Sequence, residues 1–452
     1  MTLREALRSS NDHVADYENS SAGFSQSSPQ NIALKTKIHS YLVDTIDLVA
    51  IENMSDQDLK EHLKTSIERI VLKDQLVINE TDLARLIFEI QNEVIGLGPL
   101  EPLLADSSIS DILVNNCHSV YIEKNGRIQK TDVRFDSDTH LLKIIGKIVA
   151  RVGRRIDESS PMVDARLQDG SRVNAIIPPL AIDGPVLSIR RFSEIPLKMA
   201  NLIALGSLTE EMAIILAALV KAKTNILVSG GTGSGKTTLL NIMSGFIPDN
   251  ERIVTIEDAA ELRLQQPHVV RLETRPPNIE GKGEINQRAL VRNTLRMRPD
   301  RIIVGEVRGI EVLDMLQAMN TGHEGSLTTV HANSARDALT RLENMIGIAG
   351  LQVMLKPLRQ QMVSAISVIV HEARLSDGKR KIMSIQEITG MEGDMITMQE
   401  IFHFEQIGVA PDGTVLGKFS ATGIRPRFAE RLLSRGIPLA DYLFDPDFHR
   451  DP

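Results

Sequence analysis

Residues 230–237 read Gly-Gly-Thr-Gly-Ser-Gly-Lys-Thr, and Gly230, Gly235, Lys236 and Thr237 fill every fixed position of a phosphate-binding loop. The apolar run Asn225-Ile-Leu-Val-Ser229 precedes it and Thr238-Leu-Leu-Asn-Ile-Met243 follows. A strand entering the loop and a helix leaving it aim backbone N–H groups, and the positive end of the helix, at one point. Gly230, Gly231, Thr232, Gly233, Ser234, Gly235, Lys236, Thr237 and Thr238 would form this cradle, its glycines keeping side chains out of the way. Lys236 would reach the β- and γ-phosphates of a nucleoside triphosphate, and the Thr237 hydroxyl would sit on Mg²⁺.

Hydrolysis asks for more than a cradle: a metal-holding acid, a group that orients water and a positive charge on the γ-phosphate. Arg301-Ile-Ile-Val-Gly-Glu306 is an apolar strand ending in an acid, about 70 residues after the loop, the layout of a Walker B element. Arg252-Ile-Val-Thr-Ile-Glu-Asp258 is a second such strand, with Glu261 one helical turn beyond Asp258. Two acidic strand ends at one sheet edge can share metal support and polarisation of water. His323 and His331 bracket a further apolar strand. Either could sense the γ-phosphate, with a packed or capping role as the competing reading, stronger for His323. Neither has the spacing of a metal ligand. Arg154, Arg155, Arg166, Arg172, Arg190 and Arg191 crowd the preceding region, and guanidinium forks suit a phosphate better than ammonium groups do. Some would act as arginine fingers if that region packs across the nucleotide; at least half would be ordinary surface charge.

Distinct segments must position these groups. Residues 209–452 read as one domain with a C-terminal extension, and from Thr209 to about Gly350 strand and helix alternate: Ile226–Ser229, Arg252–Ile256, Val269–Leu272, Arg301–Val304 and Ser326–Val330, with helical stretches between them. That predicts a mainly parallel sheet with helices on both faces. Beyond about Gly350 come β-prone runs, Ala365 to His371 and Lys381 to Ile388, joined by a hairpin at Asp377-Gly378. Residues 99–192 carry short strands (Asp111–Val114, Ser119–Glu123, Arg172–Ile177, Val186–Arg190), a hairpin at Asn125-Gly126 and one amphipathic helix over Thr139–Val152. This predicts an α+β domain. Residues 31–98 read as a helical bundle: Ile38, Leu42, Ile46 and Val49 on a first helix, Leu59, Leu63, Ile67, Ile70 and Val71 after Ser55, and Leu83, Leu86, Ile87, Ile90 and Val94 after Thr81. Polar residues 1–30 predict a disordered arm, and residues 193–208, with Pro196, a linker.

Composition narrows the function classes. At 452 residues the chain is about three domains long on ordinary size grounds. A net charge of −8, 3% aromatic content and no Trp argue against a nucleic-acid partner. The sole cysteine, Cys117, excludes intrachain disulfides and multi-thiolate zinc sites and reads as a small buried hydrophobe. No apolar run of about 18 residues is present, so a membrane would be met through a partner or a surface.

Taken together, Gly230–Thr237, Thr-Ile-Glu-Asp258, Val-Gly-Glu-Val-Arg308 and the stretch from Thr-Gly-His323 to Thr-Val-His-Ala-Asn333 resemble the Walker A, Asp box, Walker B and His box of the traffic ATPases of type II and type IV secretion and type IV pilus systems. Upstream, Gly96–Leu104, Arg-Leu-Gln-Asp-Gly-Ser-Arg172 and Ser-Ile-Arg-Arg-Phe192 look like the amino-terminal domain of the Tad-type (CpaF) pilus branch. A tetracysteine zinc insert, found in type II exporters, is excluded by the single cysteine. The resemblance implies an α/β fold: a RecA-like P-loop domain preceded by an α+β, PAS-like domain and a helical bundle. It implies a homohexamer that hydrolyses ATP with Mg²⁺ between its two domains. It further implies a cytoplasmic motor, peripheral at the inner membrane, that drives polytopic pilus platform proteins. Lys236 and Thr237 would bind phosphate and Mg²⁺. Glu257 and Glu306 would divide water activation and metal support, Glu306 as the Walker B acid, with the division open. Arg172 and Arg190 would contact the γ-phosphate, Arg191 competing with Arg190.

Overall fold

In the computed structural model, residues 55–73, 78–124, 126–167, 169–191, 197–275, 282–348 and 354–447, with residue 277, are described. The predicted arm, the first helix through Val49, Asn125 and Pro196 lie outside them. The chain divides into two compact units, Met1–Phe192 and Ser193–Pro452.

In the first unit, the Ser55 hydroxyl accepts the Asp58 N–H and opens the helix Asp56–Lys73. Its Leu59, Leu63, Ile67 and Ile70 are buried against Leu86, Ile87 and Ile90 of the helix Glu80–Val94, as the three-to-four spacing predicts. That second helix starts ahead of the expected position. Asn79, in extended backbone, accepts the Asp82 N–H at 2.7 Å, and Thr81 donates to Asn79 instead of capping. Its end is gripped by the helix Asp138–Arg151: Lys147 donates to the Glu93 and Val94 carbonyls and Arg151 to that of Ile95. Cations thus meet the negative end of a helix.

The same helix covers an antiparallel sheet of β1 (Ile109–Asn116), β2 (Ser119–Lys124), β3 (Arg127–Lys130), β4 (Met162–Arg166), β5 (Arg172–Ile176) and β6 (Val186–Arg190), in the order β3-β2-β1-β6-β5-β4. Ile112, Val114, Val120, Leu187 and Ile189 pack on Leu141, Ile145 and Ile148. Cys117 is buried in this core. Strand β4 is absent from the sequence reading because only Val163 of its five residues is buried, leaving no alternation to see.

The second unit is built on a nine-stranded sheet: β7 (Ile226–Gly230), β8 (Ile253–Glu257), β9 (Val269–Glu273), β10 (Arg301–Val304), β11 (Leu327–His331), β12 (Val368–Arg374), β13 (Arg380–Glu392), β14 (Met395–Val409) and β15 (Val415–Ala421). The order is β15-β14-β13-β12-β7-β11-β10-β8-β9. From β12 to β9 all pairings are parallel, and from β12 to β15 all are antiparallel. The five parallel strands of the sequence reading are present. The Ala365 to His371 run is a strand only from Val368, because Ala365 ends the helix Leu355–Ala365. Separate apolar clusters cover the two faces of the sheet. Within the segment read as a linker, the helix Met199–Ala204 places Leu202 in one of these clusters.

Candidate active site

The β7 residues are all buried, and the strand lies between β11 and β12, delivering the phosphate loop at the carboxyl edge of the parallel strands. Gly233 and Gly235 adopt φ of +70° and +111°, which other residues avoid. The helix Lys236–Ser244 follows directly, with Gly235 as its cap. A Cβ on Gly230 would lie 2.3 Å from the Glu372 carbonyl oxygen, whereas Gly231 faces open space. Lys236 is 7% exposed, and its ammonium donates to the Gly231 carbonyl at 2.7 Å. Burial lowers its pKa, with Glu306 and Glu372 acting in the opposite direction. Thr237 is half-buried and Thr238 exposed on the first turn.

Glu306 stands just beyond β10. The neighbouring strand β11 holds its loop, Thr329 donating to the Gly305 carbonyl at 2.8 Å while the Val307 N–H donates to Thr329. Glu311 accepts the Arg308 and Gly309 N–H groups at 2.6 and 2.7 Å, which stiffens the far side. One Glu306 oxygen accepts from Arg308 at 3.0 Å, and the other lies 3.2 Å from Nε2 of His331. His331 is opposite Gly230 in the parallel β7–β11 register, so it faces the loop. Its pKa is lowered, by burial first and then by Lys236, Arg308 and Arg341, despite the pull of Glu306. A neutral imidazole can donate through Nε2 to the carboxylate. His323 precedes β11 and so belongs to the opposite edge, away from the loop.

Glu257, at the end of β8, differs in character. It is 3% exposed; one oxygen accepts the Glu261 and Leu262 N–H groups at 2.7 and 2.9 Å, and the other is buried without a hydrogen-bond partner. Burial raises its pKa to about 7, against those two backbone bonds. Asp258 lies 3.4 Å from Arg308.

The residues fit a nucleoside triphosphate and Mg²⁺. The loop glycines leave the phosphate position open, and a buried Ser234 hydroxyl and a buried Glu257 oxygen await partners.

Several groups at this edge escape the sequence reading. His371 lies 3.0 Å from the Ser229 hydroxyl, Arg380 donates to the Gly233 carbonyl at 2.9 Å, and Glu372 is 4% exposed beside the loop. The signal available was a charged residue closing an apolar run, Val368-Ile-Val-His-Glu372, the pattern noted at Glu257 and Glu306.

In the first unit, Arg166, Arg172 and Arg190 are cross-strand neighbours on β4, β5 and β6, with Asp111 of β1 completing the row. Arg190 pairs with Asp111 at 3.1 Å. Arg191 points elsewhere, donating to the Asp106 and Ile109 carbonyls.

The profile of the Type II/IV secretion system protein family matches residues 93–396. The chain belongs to this family. A Mycobacterium tuberculosis (H37Rv) protein named for conjugal transfer is 38% identical over 346 residues, covering 75% of this chain and 97% of that protein. The conjugal transfer protein TrbB of Rhizobium radiobacter is 31% identical, covering 67% and 90%. The type IV secretion system protein VirB11 of Bartonella quintana is 30% identical, covering 64% and 91%. Among solved structures, the VirB11 ATPase of the Brucella suis type IV secretion system, in complex with sulphate, is 29% identical with a TM-score of 0.35, covering 64% of this chain and 91% of that one. As a secretion-family protein, the chain has no helix among the described residues long and apolar enough to cross a membrane.

Proposed function

We propose that this chain is a motor ATPase that hydrolyses ATP as a homohexamer and drives assembly of a Tad-type pilus through polytopic membrane platform proteins. The observation that carries the hydrolytic part is one sheet edge holding both halves of the chemistry. Lys236 and the loop glycines lie beside Glu306, which Arg308 and His331 hold from two sides. Lys236 and the loop N–H groups bind and orient the phosphates. Thr237, with Glu306 and Glu257, would hold Mg²⁺, which supplies charge neutralisation at the β- and γ-oxygens. Glu306 orients the attacking water, and the neutral His331 keeps that carboxylate aimed. Glu257, buried at the end of β8 with one oxygen held by the Glu261 and Leu262 N–H groups, is the second acid of the pair. Arg172 and Arg190 belong to the proposal as γ-phosphate contacts. Their support is the row they form with Arg166, three guanidinium groups side by side on β4, β5 and β6 with Asp111 beyond Arg190.

The test is phosphate release by wild type, Lys236→Ala and Glu306→Gln. Lys236→Ala should abolish release and pilus formation together. Glu306→Gln should lower kcat by about 10²–10⁴-fold with nucleotide still bound. Equal turnover in wild type and Glu306→Gln would remove Glu306 from the mechanism.

A second reading is a secretion or conjugal-transfer ATPase, favoured by the names of the relatives at 38% and 31% identity. Loss of pili on deleting the gene supports the pilus reading; intact pili with loss of a secreted or transferred macromolecule supports this one. Strong stimulation of ATPase by DNA would point instead to a nucleic-acid translocase.

A further inference from the structure

We propose that Glu372 and Arg380 are positioning residues for the phosphate loop, forming a side-chain floor supplied by the β12–β13 hairpin. The inference rests on the ATP-binding reading and deepens it. Strand β12 runs parallel to β7 with Glu372 opposite Gly230, where the loop begins. The register of β12 against β13 shifts between His371 and Glu372, where β13 carries an extra residue, Met383, opposite that step beside the loop. Two contacts result. Arg380 donates Nε–H to the Gly233 carbonyl at 2.9 Å. A Cβ on Gly235 would fall 2.6 Å from Oε1 of Glu372 and 3.2 Å from Cδ of Arg380. These two side chains therefore fill the space behind the left-handed Gly235, and the loop cannot sag into it.

An aliphatic side chain could fill that space at lower desolvation cost, so the acid invites explanation. Oε2 of Glu372 is buried without a hydrogen-bond partner. The charged groups acting on the acid are Lys236 from the helix after the loop and Arg380 from β13, while Arg374 of β12 approaches Gly233 and His371 is turned to Ser229. Burial raises the Glu372 pKa to about 8, against Arg380 and Lys236. As a neutral acid the residue shapes the floor and leaves the Lys236 charge to the phosphates. Once ionised, it places a negative charge behind the anion site. Nucleotide binding therefore favours the protonated acid, and affinity falls as pH rises through the Glu372 pKa.

The experiment is calorimetric binding of magnesium ADP to the full chain from pH 6.5 to 9.5, in buffers of differing ionisation heat. Wild-type affinity should drop about tenfold between pH 7 and 9, with uptake of about half a proton per nucleotide near pH 8. Glu372→Gln, similar in shape but unable to ionise, should lose this slope, retaining only the alkaline fall due to Lys236. Arg380→Ala should weaken binding at every pH. An unchanged slope in Glu372→Gln, or no proton uptake by wild type, overturns the inference and leaves ATP binding intact. Should Glu372→Gln fail to fold, wild-type proton uptake decides alone. Absence of ADP binding by wild type at any pH overturns the ATP reading itself.

Discussion

Glu257 and Glu306 both close apolar strands, yet their surroundings give them different work. Glu306 is held among charged groups at the open edge, while Glu257 is buried and clamps the backbone at Glu261 and Leu262. Glu257→Ala should therefore lower stability by about 1–3 kcal/mol as well as turnover, since the buried Leu262 N–H and the partly buried Glu261 N–H lose their acceptor. Glu306→Gln should leave the melting temperature nearly unchanged. Urea unfolding beside phosphate release separates the two, and equal stability losses would show the assignment to be mistaken. His331→Ala should reduce kcat with little change in KM, because the imidazole lies 3.2 Å from the Glu306 carboxylate that it keeps aimed. The strand-end acids were legible in the sequence since an apolar run stopping at a carboxylate is a local pattern. Their burial was not, because it depends on which distant strands and loops close over each one. Glu372 shows the same limit: its neighbours Gly230 and Gly235 are more than a hundred residues away in the chain.

At the level of strands and helices, position depends on a few buried polar anchors. Arg301, fully buried at the start of β10, donates to Glu251 at 2.6 and 3.2 Å and to the Val220 carbonyl at 2.7 Å. This fixes the strand that carries Glu306. Arg301→Ala should cost about 3–5 kcal/mol by taking the buried partner from Glu251, which keeps only Lys223 at 3.6 Å, and Arg301→Met with Glu251→Leu should recover most of it. Urea midpoints for the single and double variants check this. The parallel strands were readable because both of their faces are covered and they appear as unbroken apolar runs. The β14–β15 ribbon was not. In β14 both Ile401 and Phe402 are buried, where the pairing jumps from Phe402 opposite Ile385 to Glu400 opposite Gln386. A bulge of this kind breaks the two-residue period by which strands are recognised.

For the whole molecule, the alkaline response of the first unit can be predicted. Burial lowers the His140 pKa, but Asp136 and Glu93 outweigh it and hold the imidazolium up to about 9, with Glu93 at 2.5 Å. A raised histidine pKa contributes stability that is complete below its unfolded value near 6.5 and declines as pH rises toward 9. Lys147, lowered to about 8 chiefly by burial, acts in the opposite sense from that pH upward. Between pH 6.5 and 8 the first unit should therefore lose about 2 kcal/mol, and His140→Gln should flatten that decline. Thermal melts across this window provide the measurement; parallel curves for both proteins would refute the linkage.

Cys117 brings a practical consequence for spectroscopy. The thiol is buried, and burial together with Asp138 raises its pKa to about 11, so almost no thiolate exists at neutral pH. Folded wild type should stay dark to maleimide dyes, and any cysteine introduced on the surface becomes the sole labelling position. One such position is the exposed turn at Asp412, just ahead of Val415, whose N–H donates to Asp377 in the hairpin leading to Arg380. A dye attached to Asp412→Cys could watch that hairpin while nucleotide comes and goes, without first removing a native cysteine.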